Sequence, residues 1–465
     1  MKNFDIAVIG AGPGGYVAAI RAAQLGKKVI CIDKRKELGG TCLNVGCIPS
    51  KALLQSTEHY SKAANQFKEQ GITFSSLNYD LKQMMKRKDE ILSSFNVGIA
   101  GLFKKNKITH LQGVAAFINP TTLSVTQGST SQEIQARHIL LATGSEPLSL
   151  PFLPFNEKTI LSSTGALALE SVPKRLLVIG AGVIGAELGS VYARLGAKVS
   201  FIEFFPRICP TLDESLSKEL LACLQRQGMK FHLSSKVTAA TMTEQEVTLS
   251  VTSQEGAVTQ MNAEAVLICI GRKPYTQGLE LEKAGVALTD KGFVKIDAAF
   301  QTSAPSVFAI GDLIEGPMLA HKASEEGICV AEILAGKKPR LDYASIPNVV
   351  YTDPEVASVG LTEQEATQAQ LEFNTGTFAF KSNSRARCAH EEEGFVKILA
   401  DKKQGRLLGV HILGAHASEL IAEGVLALHQ RLTVHDLIDT PHAHPTLSEA
   451  LKEAALAVEN RALHK

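Results

Sequence analysis

The chain opens on a short apolar run, Phe4-Asp5-Ile6-Ala7-Val8-Ile9, interrupted only by Asp5, which predicts a buried strand. It runs into Gly10-x-Gly12-x-x-Gly15, a helical stretch to Leu25-Gly26, and a second strand, Val29-Ile30-Cys31-Ile32, ending at Asp33. The same pattern returns 170 residues later. Leu176-Leu177-Val178-Ile179 leads into Gly180-x-Gly182-x-x-Gly185, a helix to Leu195-Gly196, and a strand ending at Glu203. Residues 6–33 and 176–203 align without a gap, with 12 identities in 28 positions, and in both the acid stands 18 residues after the third glycine. Between the two copies, Lys51 to Phe103 is rich in Lys, Glu, Gln, Leu and Ala and predicts two or more helices. Leu123-Ser124-Val125 and Ile139-Leu140-Leu141-Ala142 read as strands, the latter returning to the first motif at Thr143-Gly144-Ser145. Val266 to Gly271 closes the second fold in the same way, and Val307-Phe308-Ala309-Ile310 is a further buried strand ending at Gly311-Asp312. From Ile346 apolar runs alternate with turns, then give way to helices at 417–430 and 447–463.

A Gly-x-Gly-x-x-Gly turn becomes informative when a strand precedes it, a helix follows it, and an acid lies near position +20; both copies meet all three conditions. The first glycine permits a tight turn, the second lets backbone approach a pyrophosphate, and the third lets helix and strand pack closely. The pyrophosphate then rests on a helix N-terminus, whose free N–H groups and dipole favour an anion. The acid accepts hydrogen bonds from a ribose hydroxyl. Two such sites in one chain point to FAD plus a nicotinamide nucleotide. Glu203 suits a free ribose 2′-hydroxyl and repels a 2′-phosphate, which favours NAD over NADP. Arg207 lies near it and reads as an ordinary loop residue rather than a phosphate ligand. The fold class expected is α/β: two Rossmann-like dinucleotide-binding domains and a C-terminal α+β domain. The expected divisions are 1–147, 148–272, 273–344 and 345–465.

Composition narrows the classes further. Lys and Arg number 48 against 47 Asp and Glu, leaving +1, so net charge offers no reason to expect nucleic acid or a membrane surface as partner. An apolar fraction of 45% supports large cores, and eight cysteines are too sparse for a disulfide-stapled secreted scaffold. The longest glycine-rich apolar run, Leu176 to Ala186, covers 11 residues before Glu187, where a membrane helix needs ~20. A strand pattern starts directly after Met1-Lys2-Asn3 with no signal-peptide pattern, so the expected compartment is the reducing cytoplasm.

Two cysteines stand apart from the others. In Gly39-Gly40-Thr41-Cys42-Leu43-Asn44-Val45-Gly46-Cys47-Ile48-Pro49-Ser50-Lys51, four residues separate Cys42 from Cys47, and the glycines and Pro49 shape a turn able to bring them within bridging distance. In a cytosolic protein such a pair reads as redox or metal chemistry. Zinc would need two further ligands, and no second close cysteine pair exists; a buried structural pair is the other alternative. Placed after a dinucleotide motif, the dithiol can exchange electrons with a flavin. Cys31 and Cys269 fall in strand-like runs and read as small core residues. Near the end, His442-Ala443-His444-Pro445-Thr446-Leu447-Ser448-Glu449 joins a loop to the final helix. A histidine oriented by a carboxylate five residues on is a general base, and thiol chemistry needs one because the thiolate is the nucleophile. A helix-capping histidine, or a metal pair of His442 and His444, are the alternatives for that loop.

GGTCLNVGCIPSK, the paired fingerprints and HAHPTLSE together make the chain resemble the pyridine-nucleotide disulfide oxidoreductases from residue 4 to about 460. The resemblance implies an FAD domain, an NAD domain, a central domain completing the FAD site, and a C-terminal domain forming a homodimer. It implies that Gly10, Gly12, Gly15 and Asp33 hold FAD. Asp33 stands where Glu is more usual, a mild chemical change. Lys51 would sit by the flavin ring, paired with Glu187. Gly113, Ala142, Thr143, Gly144, Ser145, Asp312, Met318, Leu319, Ala320 and His321 would complete that site. Gly180, Gly182, Gly185, Glu187, Glu203, Val237 and Gly271 would line the NAD site. Cys42 would face the substrate and Cys47 the flavin, with His444 supplied by the partner subunit and oriented by Glu449. No metal is implied. The activity implied is oxidation of protein-bound dihydrolipoamide with reduction of NAD+. The partners implied are the lipoyl domains and acyltransferase core of 2-oxoacid dehydrogenase complexes, or a glycine-cleavage system. The alternatives are another flavin disulfide reductase, or an assembly subunit with vestigial catalysis; intact Cys42, Cys47, His444 and Glu449 speak against the latter.

Overall fold

The computed structural model describes residues 2–243 and 246–464. The chain divides into two compact units: Met1–Ala52 with Gln83–Leu148 and Gly271–Leu341, and Leu53–Lys82 with Ser149–Ile270 and Asp342–Lys465.

In the first unit the strand Lys2–Ile9 lies between Val29–Asp33 and Thr130–Leu141 and runs parallel to both, with Ile6 opposite Val29 on one side and His138 on the other. Parallel neighbours need a crossover, and the helix Pro13–Gln24 supplies the one between the first two strands. Thr109–Gln112 and Val307–Ala309 add further parallel pairs, while Val114–Asn119 and Thr122–Gln127 continue the seven-stranded sheet antiparallel. Ala7, Val8, Cys31, Ile32 and Leu140 are all buried, which is why these strands read as continuous apolar runs rather than alternating ones. The helices expected between Lys51 and Phe103 are Cys47–Asn65 and Leu81–Lys105.

The second unit repeats the plan. Its five-stranded parallel sheet runs in the order Lys230–His232, Lys198–Ile202, Arg175–Ile179, Ala265–Ile268, Ile160–Leu161. A separate antiparallel sheet, Ser235–Met242, Val247–Ser253 and Val258–Ala263, was not among the strands expected from the sequence. Toward the C-terminus a five-stranded antiparallel sheet is ordered Asn348–Val350, Glu355–Gly360, Leu407–Gly414, Phe395–Asp401, Phe373–Ala379. The helices Ala417–His429 and Glu449–Val458 pack on it through Ile421, Ala454, Ile398, Val410 and Ile412. They match the two expected helices; a short third, Val434–Asp439, lies between them, closed by a capping box of Thr433 and Asp436. Among the described residues no helix is long and apolar enough to cross a membrane.

One buried ion pair carries unusual weight in the second unit. Asp213 caps the helix Glu214–Arg226 by accepting the Ser215 N–H (3.0 Å), and also accepts the Glu363 N–H (3.0 Å) and Lys397 Nζ (2.8 Å). Burial alone would raise its carboxyl, but Lys397 and the other donors outweigh burial and hold it at about 2. The folded value lies below an unfolded value of ~3.9, so this stabilisation is complete above that pH and is lost as pH falls through about 2. Lys397→Met leaves the buried charge unpaired, which should cost about 3–5 kcal/mol, read as a lowered urea midpoint at neutral pH. An unchanged midpoint would mean that Lys397 does not stabilise Asp213.

Candidate active site

The two glycine fingerprints are built identically. Gly10 has φ +102°, and a Cβ there would lie 2.3 Å from the Ala142 carbonyl oxygen; Gly180 has φ +97° and the same relation to Cys269 at 2.4 Å. A Cβ on Gly15 or Gly185 would collide with the carbonyl of Gly10 or Gly180, at 1.8 and 2.2 Å. The first and third glycines are thus demanded by the chain's own backbone. The second is not: a Cβ on Gly12 would come no closer than 3.9 Å to Gly40, and around Gly182 nothing lies within 4 Å. The space that the second glycine keeps open suits a bound pyrophosphate. The helices Pro13–Gln24 and Val183–Arg194 start there with no side-chain cap, so their first N–H groups remain for an anion.

The two acids are positioned by matching bonds. Asp33 Oδ2 accepts the Ala11 N–H (2.7 Å) and Oδ1 the Arg35 N–H (2.8 Å). Glu203 Oε2 accepts the Ala181 N–H (2.6 Å) and Oε1 the Phe205 N–H (2.8 Å). Each oxygen keeps a lone pair for a ribose hydroxyl. Arg207 is used locally, donating to the Pro210 carbonyl at 2.7 Å.

The remaining residues expected around the first nucleotide gather in the first unit. Gly113 N–H donates to the Asp33 carbonyl (2.8 Å), and Ala142 N–H donates to Ile9 (2.8 Å). Thr143 Oγ1 donates to the Tyr275 carbonyl (2.6 Å), and Tyr275 N–H returns to Gly144 (2.9 Å). Ser145 Oγ donates to Asp312 Oδ2 (2.5 Å), and Ser145 in turn receives Arg272 at its hydroxyl and its carbonyl, both 2.7 Å. Gly311, before Asp312, is gripped at both backbone atoms: Glu326 accepts its N–H (2.7 Å) and Lys322 donates to its carbonyl (3.2 Å). Lys322 and Glu326 form a wholly buried 3.0 Å ion pair. Sequence reasoning missed Arg272, Lys322 and Glu326, because each acts through a residue distant in the chain. Met318 and Leu319 precede the helix Ala320–Leu334, which His321 enters at its second position.

Cys42 lies in the short helix Gly40–Val45 and Cys47 opens the helix Cys47–Asn65; they form a disulfide with Cα atoms 4.7 Å apart. Asn44 holds the turn, donating to the Leu38 and Gly40 carbonyls at 2.9 Å each. The segment abuts the first fingerprint: Gly39 N–H donates to Ala11 (2.8 Å), and a Cβ on Gly40 would lie 2.5 Å from Gly12 Cα. Lys51 follows Cys47 by one helical turn. Of the other cysteines, Cys31 is fully buried as expected, whereas Cys269 falls just past the strand Ala265–Ile268 and is half-buried.

In the second unit Glu187 is buried in the helix Val183–Arg194 and accepts the Tyr351 N–H at 3.0 Å. Val237 lies in the strand Ser235–Met242, packed against the core of that unit. Gly271, the first residue of the first unit's last segment, has φ +121° and accepts the Leu148 N–H (3.0 Å). His444 is 69% exposed and its Nδ1 is 2.9 Å from Glu449 Oε1; Glu449 Oε2 accepts the Thr446 N–H at 2.8 Å. Burial raises the Glu449 carboxyl, but Thr446 and His444 outweigh it and hold it below the ordinary carboxylate range. An ionised carboxylate only accepts, so Nδ1 carries the proton and Nε2 is the basic atom.

Comparison with known proteins identifies the family. The chain matches the pyridine nucleotide-disulphide oxidoreductase family over residues 4–327 and that family's dimerisation domain over 346–455. It is 49% identical over 460 residues to a dihydrolipoyl dehydrogenase of Trypanosoma brucei brucei, covering 98% of this chain and 96% of that one. It is 48% identical over 462 residues to the mitochondrial dihydrolipoyl dehydrogenase of Pisum sativum, covering 99% and 92%. Among solved structures, LpdA from Mycobacterium tuberculosis superposes with a TM-score of 0.90 at 26% identity, covering 97% of this chain and 99% of that one. Fold, paired fingerprints and family match agree from end to end: the chain belongs to the pyridine nucleotide-disulphide oxidoreductase family.

Proposed function

We propose that this chain oxidises dihydrolipoyl groups to the disulfide form, with NAD+ as the final electron acceptor. The observation that carries the reading is the Cys42–Cys47 disulfide in a segment whose Gly40, two residues before Cys42, lies against Gly12 of the first nucleotide loop. Its chemistry balances without any further reagent. One substrate thiol gives its proton to His444 Nε2, and the thiolate attacks Cys42 Sγ. The Cys42–Cys47 bond breaks and Cys47 leaves with the electron pair as a thiolate. As the first residue of the helix Cys47–Asn65, Cys47 sits where the helix N-terminus stabilises that charge. The second substrate thiol closes on the first sulfur as the substrate–Cys42 bond breaks; its proton passes to the departing Cys42 sulfur, so the oxidised disulfide is released, Cys42 is a thiol and His444 keeps the first proton. FAD held at the first fingerprint would supply the two-electron relay from this dithiol to NAD+ at the second.

The residues proposed to hold FAD are Gly10, Gly12, Gly15, Asp33, Lys51, Gly113, Ala142 to Ser145, Asp312 and Met318 to His321. Those proposed for NAD are Gly180, Gly182, Gly185, Glu187, Glu203, Val237 and Gly271. The working divisions remain 1–147, 148–272, 273–344 and 345–465, with the last forming a homodimer that completes each site through His444. Lipoyl domains and the acyltransferase core of a 2-oxoacid dehydrogenase complex are the proposed partners. The test is NADH formation by purified protein with dihydrolipoamide and with reduced glutathione. Turnover confined to dihydrolipoamide supports the reading, and preference for glutathione sinks it.

Nucleotide choice is tested separately. The wild-type protein should have the higher kcat/KM with NAD+ than with NADP+. Glu203→Arg should lower the NAD+ value both by losing the ribose acceptor and by freeing the Ala181 N–H, while improving NADP+ relative to NAD+. A wild-type preference for NADP+ would remove Glu203 from its assigned role.

A further inference from the structure

The chemistry above uses His444 and Glu449 but not the other histidine of the same loop. His442 is only 5% exposed at its side chain. Its Nδ1 lies 3.0 Å from the Thr440 carbonyl oxygen and its Nε2 lies 2.9 Å from Glu423 Oε1. The Thr440 oxygen is an acceptor only, and it also takes a hydrogen bond from Lys452 Nζ at 3.1 Å. A carboxylate oxygen is likewise an acceptor only. A neutral imidazole carries one N–H and one lone pair, so it would point that lone pair at one of the two oxygens. Only the imidazolium donates to both.

His442 and Glu449 anchor the loop from opposite sides of His444. On the C-terminal side Glu449 takes the Thr446 N–H, and Asn383 Nδ2 donates to the Thr446 carbonyl at 2.9 Å. On the N-terminal side, Lys452 and His442 both hold Thr440, and His442 alone of the two ties the loop to Glu423 in the helix Ala417–His429. The titratable and charged groups around His442 are Glu423 on that helix, Lys452 and Glu449 on the final helix, and the His444 ring on its own loop. The bond to Glu423 is the largest influence and raises the basicity of the ring; burial and Lys452 oppose it, and the net shift is upward.

We propose that His442, in its charged form, is a positioning residue for His444: it pins the base-bearing loop to Glu423, and losing its proton releases the pin. This rests on His444 being the general base. A ring whose proton stabilises the folded loop contributes fully below its unfolded pKa of ~6.5, and that contribution fades as pH rises through its higher folded value.

The test measures kcat/KM for dihydrolipoamide oxidation by FAD-loaded enzyme from about pH 6 to about pH 10. The variants are His442→Gln, Glu423→Gln and His444→Gln, each expressed as a ratio to wild type so that ionisations of substrate and shared groups cancel. His442→Gln should fall about 10-fold below wild type at the acid end, the scale of a slightly misplaced catalytic group. Its deficit should close as pH rises and wild type loses its own pin. Glu423→Gln should behave oppositely at the alkaline end. Its amide can donate to Nε2 of a neutral ring whose Nδ1–H still reaches Thr440, so the pin survives deprotonation and this variant should overtake wild type. Ratios constant across the range would mark His442 and Glu423 as merely structural and overturn the proposal. Should His442→Gln fail to fold, Glu423→Gln decides alone: crossing wild type supports the pin, and failure to cross overturns it. A fully active His444→Gln would instead overturn the assignment of the base, an outcome separate from flat ratios with an inactive His444→Gln.

Discussion

Cys42→Ser and Cys47→Ser should each abolish NADH formation from dihydrolipoamide, because a serine oxygen can neither form nor relay the disulfide. Four of the six other cysteines are too deeply buried to stand in for them. Cys31, Cys209, Cys223 and Cys329 are buried, and burial pushes their thiols up, to about 12 for Cys209 and Cys223, so at neutral pH they hold no useful thiolate. The two variants should differ in one respect. Cys42→Ser keeps the thiol that opens the helix Cys47–Asn65, and should retain the long-wavelength absorbance that a thiolate produces beside FAD. Cys47→Ser should lose that absorbance on two-electron reduction. The reverse pattern would exchange the roles assigned to the two sulfurs.

His444→Gln should lower dihydrolipoamide turnover by about 10²–10⁴-fold, the usual cost of a missing general base, while FAD stays bound. If the base serves the partner's disulfide, the loss can be complemented. In a dimer of one His444→Gln chain and one Cys42→Ser chain, one site carries both lesions and the other carries neither. After the two variants are dissociated together and reassociated, activity should return to as much as half of wild type per mixed dimer. Mixed dimers that form without regaining activity would place the base and the disulfide of one site in a single chain.

What the sequence made legible were features whose partners lie close along the chain or repeat in a fixed register. Gly10 to Asp33 and Gly180 to Glu203 each sit inside one strand–turn–helix–strand unit, so spacing alone exposed them. Cys42 and Cys47 are five apart, as are His444 and Glu449, and both pairs meet as the pattern suggested. The antiparallel sheet from Ser235 to Ala263 escaped notice because its outer strands alternate weakly and are largely exposed, although the central strand Val247–Ser253 alternates apolar and polar residues cleanly. Tertiary partners were out of reach altogether. Asp213 and Lys397 stand 184 residues apart, and His442 meets Glu423 on another helix. Lys322 and Glu326 are one helical turn apart, but nothing in that spacing reveals that both grip Gly311. The most reactive part of the molecule was therefore read first, and the buried charges that hold it in position emerged only with the fold.

The most direct measurement is an anaerobic single turnover of FAD-loaded protein with dihydrolipoamide and no NAD+, followed by thiol alkylation and peptide mass spectrometry. Untreated protein serves as the reference, since exposed Cys388 will be labelled in both samples. Dihydrolipoamide should make the Cys42 and Cys47 peptides newly reactive, with a matching amount of oxidised lipoamide released. If lipoamide forms while the Cys42–Cys47 disulfide stays intact, electrons enter the protein by another route and the assigned chemistry is wrong.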